Sequence, residues 1–196
     1  VRTGAHSLDN SLHAILQNRE DEISPRMRDI ITGLYEDWIW LDGRIDTTTA
    51  EIESISQSEE NCRRLMSIPG IGPIISTSMV AAVGTGEAFD RGRDFAAWLG
   101  LIPRQYSTGG KTILGRISKR GSTYLRMLFV QAANVIMMRP KNWPKFSFGP
   151  WLEEASKRMH RNKVAVALAN KLARIAWSVL RNKQSFDSHG IEVEAV

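Results

Sequence analysis

Residues 98–126 read WLGLIPRQYSTGGKTILGRISKRGSTYLR. The stretch is rich in Gly, Ser, Thr and basic residues and holds no Asp or Glu. A turn-rich basic segment presents hydroxyls and backbone N–H groups to phosphate. Helical patterns flank it on both sides, so it reads as a mounted active loop rather than a linker. Ile113, Leu114 and Ile117 leave its form open between a small β-hairpin near Gln105–Ile117 and an irregular loop. In Ser107-Thr108-Gly109-Gly110-Lys111 a turn presents the Ser107 hydroxyl without steric cover. Attack on a phosphodiester needs such an oxygen, plus cations for the charge that develops on phosphorus. Arg104, Lys111, Arg116, Lys119 and Arg120 lie close in sequence, and Ser118 in GRISKRG is the rival nucleophile. Three readings stand at this point: attack by Ser107, attack by Ser118, or phosphate binding alone.

Outward on the C-terminal side, Gly121-Ser122 opens a helix from Thr123 to about Met138 with Leu125, Leu128, Phe129, Ala132 and Ile136 inward. Arg139-Pro140 stops it. Residues Lys141–Pro150 read as a packed aromatic and proline-rich loop, followed by helices Trp151–His160 and Asn162–Leu180 and a disordered tail, 184–196. On the N-terminal side, Phe89–Leu99 is a helix burying Phe95, Trp98 and Leu99, with Gly84-Thr85-Gly86 ending the helix before it. That helix, Ile74–Val83, follows Ser67-Ile68-Pro69-Gly70-Ile71-Gly72-Pro73 and a helical turn or two over 59–66. Helix, Pro-Gly-Ile-Gly, helix is the pattern of a helix-hairpin-helix, in which Gly70 and Gly72 admit a phosphate to the second helix's N-terminus. A plain tight turn between packed helices has the same pattern.

Further upstream, Ser24-Pro25 starts a long helix. Met27, Ile31, Leu34, Trp38, Leu41, Ile45, Thr48, Ile52 and Ile55 fall at alternating steps of 4 and 3, an a/d heptad seam. The strict 3.5-residue period favours coiled-coil dimerisation over an intramolecular antiparallel pair. Residues 8–22 read as a shorter amphipathic helix carrying Leu8, Leu12, Ile15 and Leu16.

Charge divides the 196-residue chain. Residues 1–90 carry 7 Lys/Arg against 15 Asp/Glu, whereas 91–183 carry 19 against 3. A strongly basic half points to a polyanion partner. One cysteine, Cys62, excludes an internal disulfide and a cysteine-rich zinc site and fits a reducing cytosol. No phosphate loop, zinc-ligand spacing or GxSxG elbow occurs, and the four histidines are scattered. With Asp94, Glu153 and Glu154 the only acids of 91–183, no paired-carboxylate metal centre is expected there.

The runs IPGIGP, FDRGRDFAAWLGLIPRQYSTGGK and GRISKRGSTYLRMLFVQAA, with NKVAVALANKLARIAWSVL after them, resemble the C-terminal transposase domain of a bacterial insertion-sequence family over about residues 65–181. Those enzymes pair it with an N-terminal RuvC-like domain and are described as bridge-RNA-guided recombinases. The resemblance implies that Ser107 is the nucleophile that links to DNA. It also implies that Arg104, Lys111, Arg116, Lys119 and Arg120 flank a scissile phosphate or a guide RNA, with Thr108, Gly109, Gly110, Ser118 and Arg126 in the same nucleic-acid-binding surface. It makes the heptad helix a connector through which protomers associate, and it puts Mg2+ in a RuvC-like domain that this sequence lacks. A chain starting VRTGAHSLDN without Met is then expected to be a fragment or processed product, inactive in strand exchange alone and cytoplasmic in a bacterium.

The fold expected is mainly α. A helical arm with a coiled coil (1–66) precedes a helical domain with a helix-hairpin-helix and a possible small β-hairpin (67–183), then a tail (184–196).

Overall fold

A computed structural model describes residues 12, 16 and 23–187. The chain divides into two compact units, Val1–Ala50 and Glu51–Val196. Among the described residues it is mainly helical, with one two-stranded sheet.

The first unit holds most of α1, Pro25–Ser58. Ser24 starts it as expected, its Oγ accepting from Met27 N at 3.3 Å and its carbonyl from Arg28 N. Within this unit the seam residues Met27, Leu34, Leu41 and Ile45 are 50–64% exposed, while Ile31 and Trp38 are half-buried, so much of the apolar stripe is open to solvent. Gly33 and Gly43 face open space. The proposed 8–22 helix lies outside the described residues apart from Leu12 and Leu16, both helical and buried.

The second unit contains the end of α1, then α2 (Glu60–Met66), α3 (Pro73–Val83), α4 (Gly92–Trp98), β1 (Pro103–Thr108), β2 (Lys111–Ile117), α5 (Thr123–Met137), a 3-10 helix (Pro140–Lys145), α6 (Gly149–Arg158) and α7 (Arg161–Asn182). Helix α7 is the post on which the unit is built, packed by α2, α4, α5 and α6. Its sequence explains this role. Ala165, Ala169, Ala173 and Ala176 let neighbouring backbones approach, while Val164, Leu168, Leu172, Ile175 and Val179 fill the grooves beside them, all buried. Each large side chain sequestered this way contributes roughly 1.5–3 kcal/mol. Leu125, Phe129, Ala132 and Ile136 of α5 meet that core, and Ser122 caps α5 by accepting from Leu125 N at 3.3 Å.

Three sequence expectations shift. The Lys141–Pro150 segment is not a plain loop, because Pro140 at the start of a turn nucleates the 3-10 helix, and Trp143 Nε1 donates to Ile136 O at 2.9 Å to hold it down. Trp98 is not buried; it lies 37% exposed, with its ring against Phe89 and Phe95. The first residues of the expected tail are docked, since Phe186 packs on the core and its N–H donates to Ser67 Oγ at 2.7 Å. The remainder, 188–196, lies outside the described residues.

Candidate nucleic-acid interface

The 98–126 stretch forms an antiparallel hairpin, which resolves the choice left open by the sequence. Ser107 pairs with Thr112 and Thr108 with Lys111 across Gly109-Gly110, whose φ angles of +56° and +80° suit a two-residue turn of mirror-image type. Every residue of β1 is exposed, as is every residue of β2 except the half-buried Ile117. Tyr106, Ile113 and Leu114 are 51–63% exposed, so the ribbon owes little of its position to burial. An isolated two-stranded ribbon is marginal in water. This one is held at its base.

The base is pinned by backbone approach and by one arginine. Gly100 and Gly121 both have positive φ, +73° and +79°. A Cβ on Gly121 would fall 1.7 Å from Trp98 O, and one on Gly100 2.3 Å from Arg120 O. Only glycine lets the strands' two roots cross so closely. Ser118 N donates to Ile102 O at 2.8 Å and Lys119 N to Gly100 O at 3.1 Å. Asn170 of α7 donates to Leu101 O at 3.4 Å. Arg126 Nη1 donates to Leu99 O at 2.9 Å and Arg120 O at 3.3 Å, while Nη2 reaches Thr123 Oγ1 at 3.0 Å. Arg126, expected at the nucleic-acid surface, is therefore turned inward on backbone carbonyls.

Alternation along the strands sorts the remaining candidates. Ser107 shares a face with Gln105, Thr112 and Leu114, while Thr108, Lys111, Tyr106 and Ile113 lie on the other. Gln105 Nε2 donates to Ser107 Oγ at 2.8 Å. That bond fixes the hydroxyl's rotamer and stabilises negative charge on its oxygen. Gln105 was missed from the sequence, although its i, i+2 relation to Ser107 would have placed both on one face once a strand was assumed. Arg104 bends back, Nη2 donating to Ser118 O at 3.3 Å. The two serines are not neighbours: Thr112, opposite Ser107, is six residues from Ser118, or about 20 Å along the strand. Ser118, Lys119 (φ +56°) and Arg120 belong to the base, with Arg120 N donating to Ser118 Oγ at 3.5 Å.

The Pro-Gly-Ile-Gly turn joins α2 to α3, as its pattern predicts. Its glycines diverge in role. Gly70, at φ +81°, faces α5, where a Cβ would meet Ala132 O and Ile136 Cδ1 at 3.1 Å. Gly72 opens on free space at the start of α3. Ala132 and Ile136 lie 6 and 10 residues along α5 from Arg126, about 9 and 15 Å. The turn and the hairpin root thus occupy opposite halves of α5.

Residues 62–147, from α2 to just past the 3-10 helix, match the Transposase IS116/IS110/IS902 family. This segment is a transposase-family domain. The chain is homologous to insertion-sequence transposases along much of its length. It is 42% identical over 160 residues to the transposase for insertion sequence element IS1328 of Yersinia enterocolitica, covering 82% of this chain and 48% of that protein. It is 37% identical to a probable family 20 transposase of Pseudomonas aeruginosa, covering 95% and 55%. It is 35% identical to the transposase for insertion sequence element IS1111A of Coxiella burnetii, covering 93% and 50%. The chain spans about half the length of these relatives. The transposase domain contains the whole hairpin, its glycine pins and Arg126. Among its described residues, and those of the rest of the chain, no three His, Cys, Asp or Glu gather to hold a metal ion. No described helix is long and apolar enough to cross a membrane.

Proposed function

We propose that this chain is the DNA-binding, serine-bearing part of an insertion-sequence transposase, with Ser107 attacking a DNA phosphodiester during strand exchange. The observation that carries the reading is an exposed, acid-free ribbon that holds the Ser107 hydroxyl by a 2.8 Å bond from Gln105. In this reaction the Oγ–P bond forms as the P–O bond to one deoxyribose breaks. The freed sugar oxygen takes up a proton, and the energy of the phosphodiester is kept in the protein–DNA ester. Arg116, at even spacing from Thr112 and so on the Ser107 face, binds a flanking phosphate, while Lys111 on the opposite face beside the tip adds positive charge that draws the backbone onto the ribbon. Gln105 steadies the nucleophile. Mg2+ would be held by the carboxylates of a RuvC-like domain elsewhere in the working enzyme, where it would neutralise charge on the attacked phosphate. A guide RNA is the second expected ligand of the basic surface. The exposed seam on α1 makes the protomer a homodimer or higher oligomer through a coiled coil, and the α2–α3 turn acts as a helix-hairpin-helix at Gly72. The expected setting is the bacterial cytoplasm.

One observation favours a second reading, a non-catalytic nucleic-acid-binding and dimerisation module. No carboxylate or imidazole among the described residues bonds Ser107, so the proton acceptor has to come from outside this hairpin. The two readings part in one assay: full-length parent transposase, guide RNA, Mg2+ and target DNA, scored for a protein–DNA adduct that survives SDS. The catalytic reading requires that Ser107→Ala abolish the adduct while DNA binding persists. An undiminished adduct overturns it. The 196-residue chain alone is expected to bind nucleic acid in a salt-sensitive way and to perform no strand transfer.

A further inference from the structure

Away from the hairpin, the second unit brings four cations together on α7 and the segment that leads into α4. Gly92 lies directly on the α7 backbone, where a Cβ would meet Arg174 O at 3.2 Å, Arg174 Cα at 3.3 Å and the Trp177 ring at 3.2 Å. Trp177 Nε1 ties the same segment down by donating to Gly86 O at 3.0 Å. Arg91 and Arg93 flank Gly92 in sequence and are exposed, so this contact sets both residues beside the stretch of α7 that carries Arg174. One helical turn earlier, Lys171 rests its ammonium over the Trp151 ring at 5.2 Å.

Glu87, Asp90 and Asp94 are the acids of that segment, and among the described residues no ion pair joins any of them to these four cations; between residues 91 and 183 the described ion pair is Glu154–Lys157. Helix α7 itself holds Arg161, Lys163, Lys171, Arg174 and Arg181 and no acid. Burial, followed by the nearby Arg174 charge, makes the Lys171 ammonium give up its proton more readily than usual. Holding like charges together costs free energy in the unliganded chain, and a polyanion offsets that cost. Planar guanidinium groups suit phosphate oxygens in particular.

We infer that Arg91, Arg93, Lys171 and Arg174 form a second contact for the sugar-phosphate backbone of the polynucleotide that meets the hairpin. The inference rests on the nucleic-acid reading proposed above. Continuity supports it. Asn170, whose amide holds Leu101 O at the hairpin root, sits one residue from Lys171 and one turn from Arg174, about 1.5 and 6 Å along α7. Asn170 and Arg174, four residues apart, share one face of α7, so the helix face that holds the hairpin root also carries Arg174. The patch lies partly outside the 62–147 family match, since α7 follows it.

The test uses the 196-residue chain, fluorescence anisotropy and salt from 50 to 300 mM, with a DNA duplex and an RNA duplex of one sequence as separate probes. Removing three phosphate contacts with Arg91→Gln/Arg93→Gln/Arg174→Gln lowers the slope of log K against log salt by about 2.7, and affinity at 0.1 M salt on the order of 100-fold. Should the Arg174 change disturb folding, Arg91→Gln/Arg93→Gln alone is exposed and lowers the slope by about 1.8. The Arg→Lys versions restore it. A fall with DNA alone identifies DNA as the backbone, and a fall with RNA alone identifies RNA. Unchanged slopes with both probes in a folded variant overturn the inference. The hairpin reading is judged separately by Lys111→Gln/Arg116→Gln, which lowers the slope whether or not the patch does.

Discussion

Arg126 offers the clearest separation between holding the hairpin and holding a ligand. In Arg126→Met the aliphatic stem stays and every donor goes. The Nη1 bond to Leu99 O, at 2.9 Å beneath a residue with no exposure, is a charged hydrogen bond to a buried carbonyl. Losing it costs about 1.5–3 kcal/mol, because the carbonyl is left dry and unpaired. The bonds to Arg120 O at 3.3 Å and Thr123 Oγ1 at 3.0 Å involve exposed partners and add about 0.5 kcal/mol each at most. A loss of about 2–4 kcal/mol in a domain of this size lowers Tm by about 4–16 °C. The salt slope of DNA binding, measured well below Tm, stays within experimental error of the parent. A phosphate-contacting arginine gives the opposite signature, a slope reduced by about 0.9 with Tm unmoved. Observation of that second signature refutes the inward assignment and returns Arg126 to the interface.

Three further outcomes are expected. Gly121→Ala, with φ at +79° and a Cβ 1.7 Å from Trp98 O, destabilises by on the order of 3 kcal/mol or more, while Gly109→Ala at the open hairpin tip costs about 1 kcal/mol in the same thermal melts. Leu34→Glu/Ile45→Glu, at seam positions 64% and 59% exposed in the single chain, halves the mass seen by light scattering; an unchanged mass removes the coiled-coil proposal. Burial is the main force raising the Cys62 thiol above its ordinary pKa, with the Ser76 hydroxyl opposing it and Glu59 assisting. The unfolded chain therefore loses this proton first as pH rises. The stability Cys62 contributes is complete below about pH 8.5 and declines above it, so Cys62→Ala flattens that decline in melts between pH 8 and 10.

The helices were legible because their signals are local. Ser24-Pro25, Ser122 and the 3.6-residue stripes of α5 and α7 act within a turn or two of chain, and each stands where its pattern put it. The sequence does not decide the hairpin because its strands lack the alternating apolar face that marks a half-buried sheet. Ser107, Thr112 and Lys111 are all exposed, so periodicity had nothing to report. Trp98 misled for a related reason. Its helical position is one that core residues occupy, yet its ring rests on Phe89 and Phe95 and remains over a third exposed. The inward turn of Arg126 and the Gly92–Arg174 approach were illegible, since each depends on a partner 27 or more positions away.

The same long-range contacts explain how a segment with almost no buried surface can hold a fixed position. A ribbon with the role proposed for this one, presenting a hydroxyl to a rigid, highly charged backbone, cannot bury its own faces without hiding that hydroxyl. Its rigidity has to be imported through its root. Gly100 and Gly121 supply close backbone crossing, Arg126 and Asn170 supply hydrogen bonds from α5 and α7, and those helices are locked into the unit's core. Precision at Ser107 is thus a property of residues up to about 20 Å away, six strand positions by the ladder. If Ser107 is the nucleophile proposed above, substitutions at the root move its position while leaving its chemistry alone, whereas Gln105→Leu does the reverse. In the adduct assay the first class slows strand attack in proportion to its Tm loss. The second slows attack with Tm unchanged, and equal Tm losses in both classes would show that the ribbon is not held from its base.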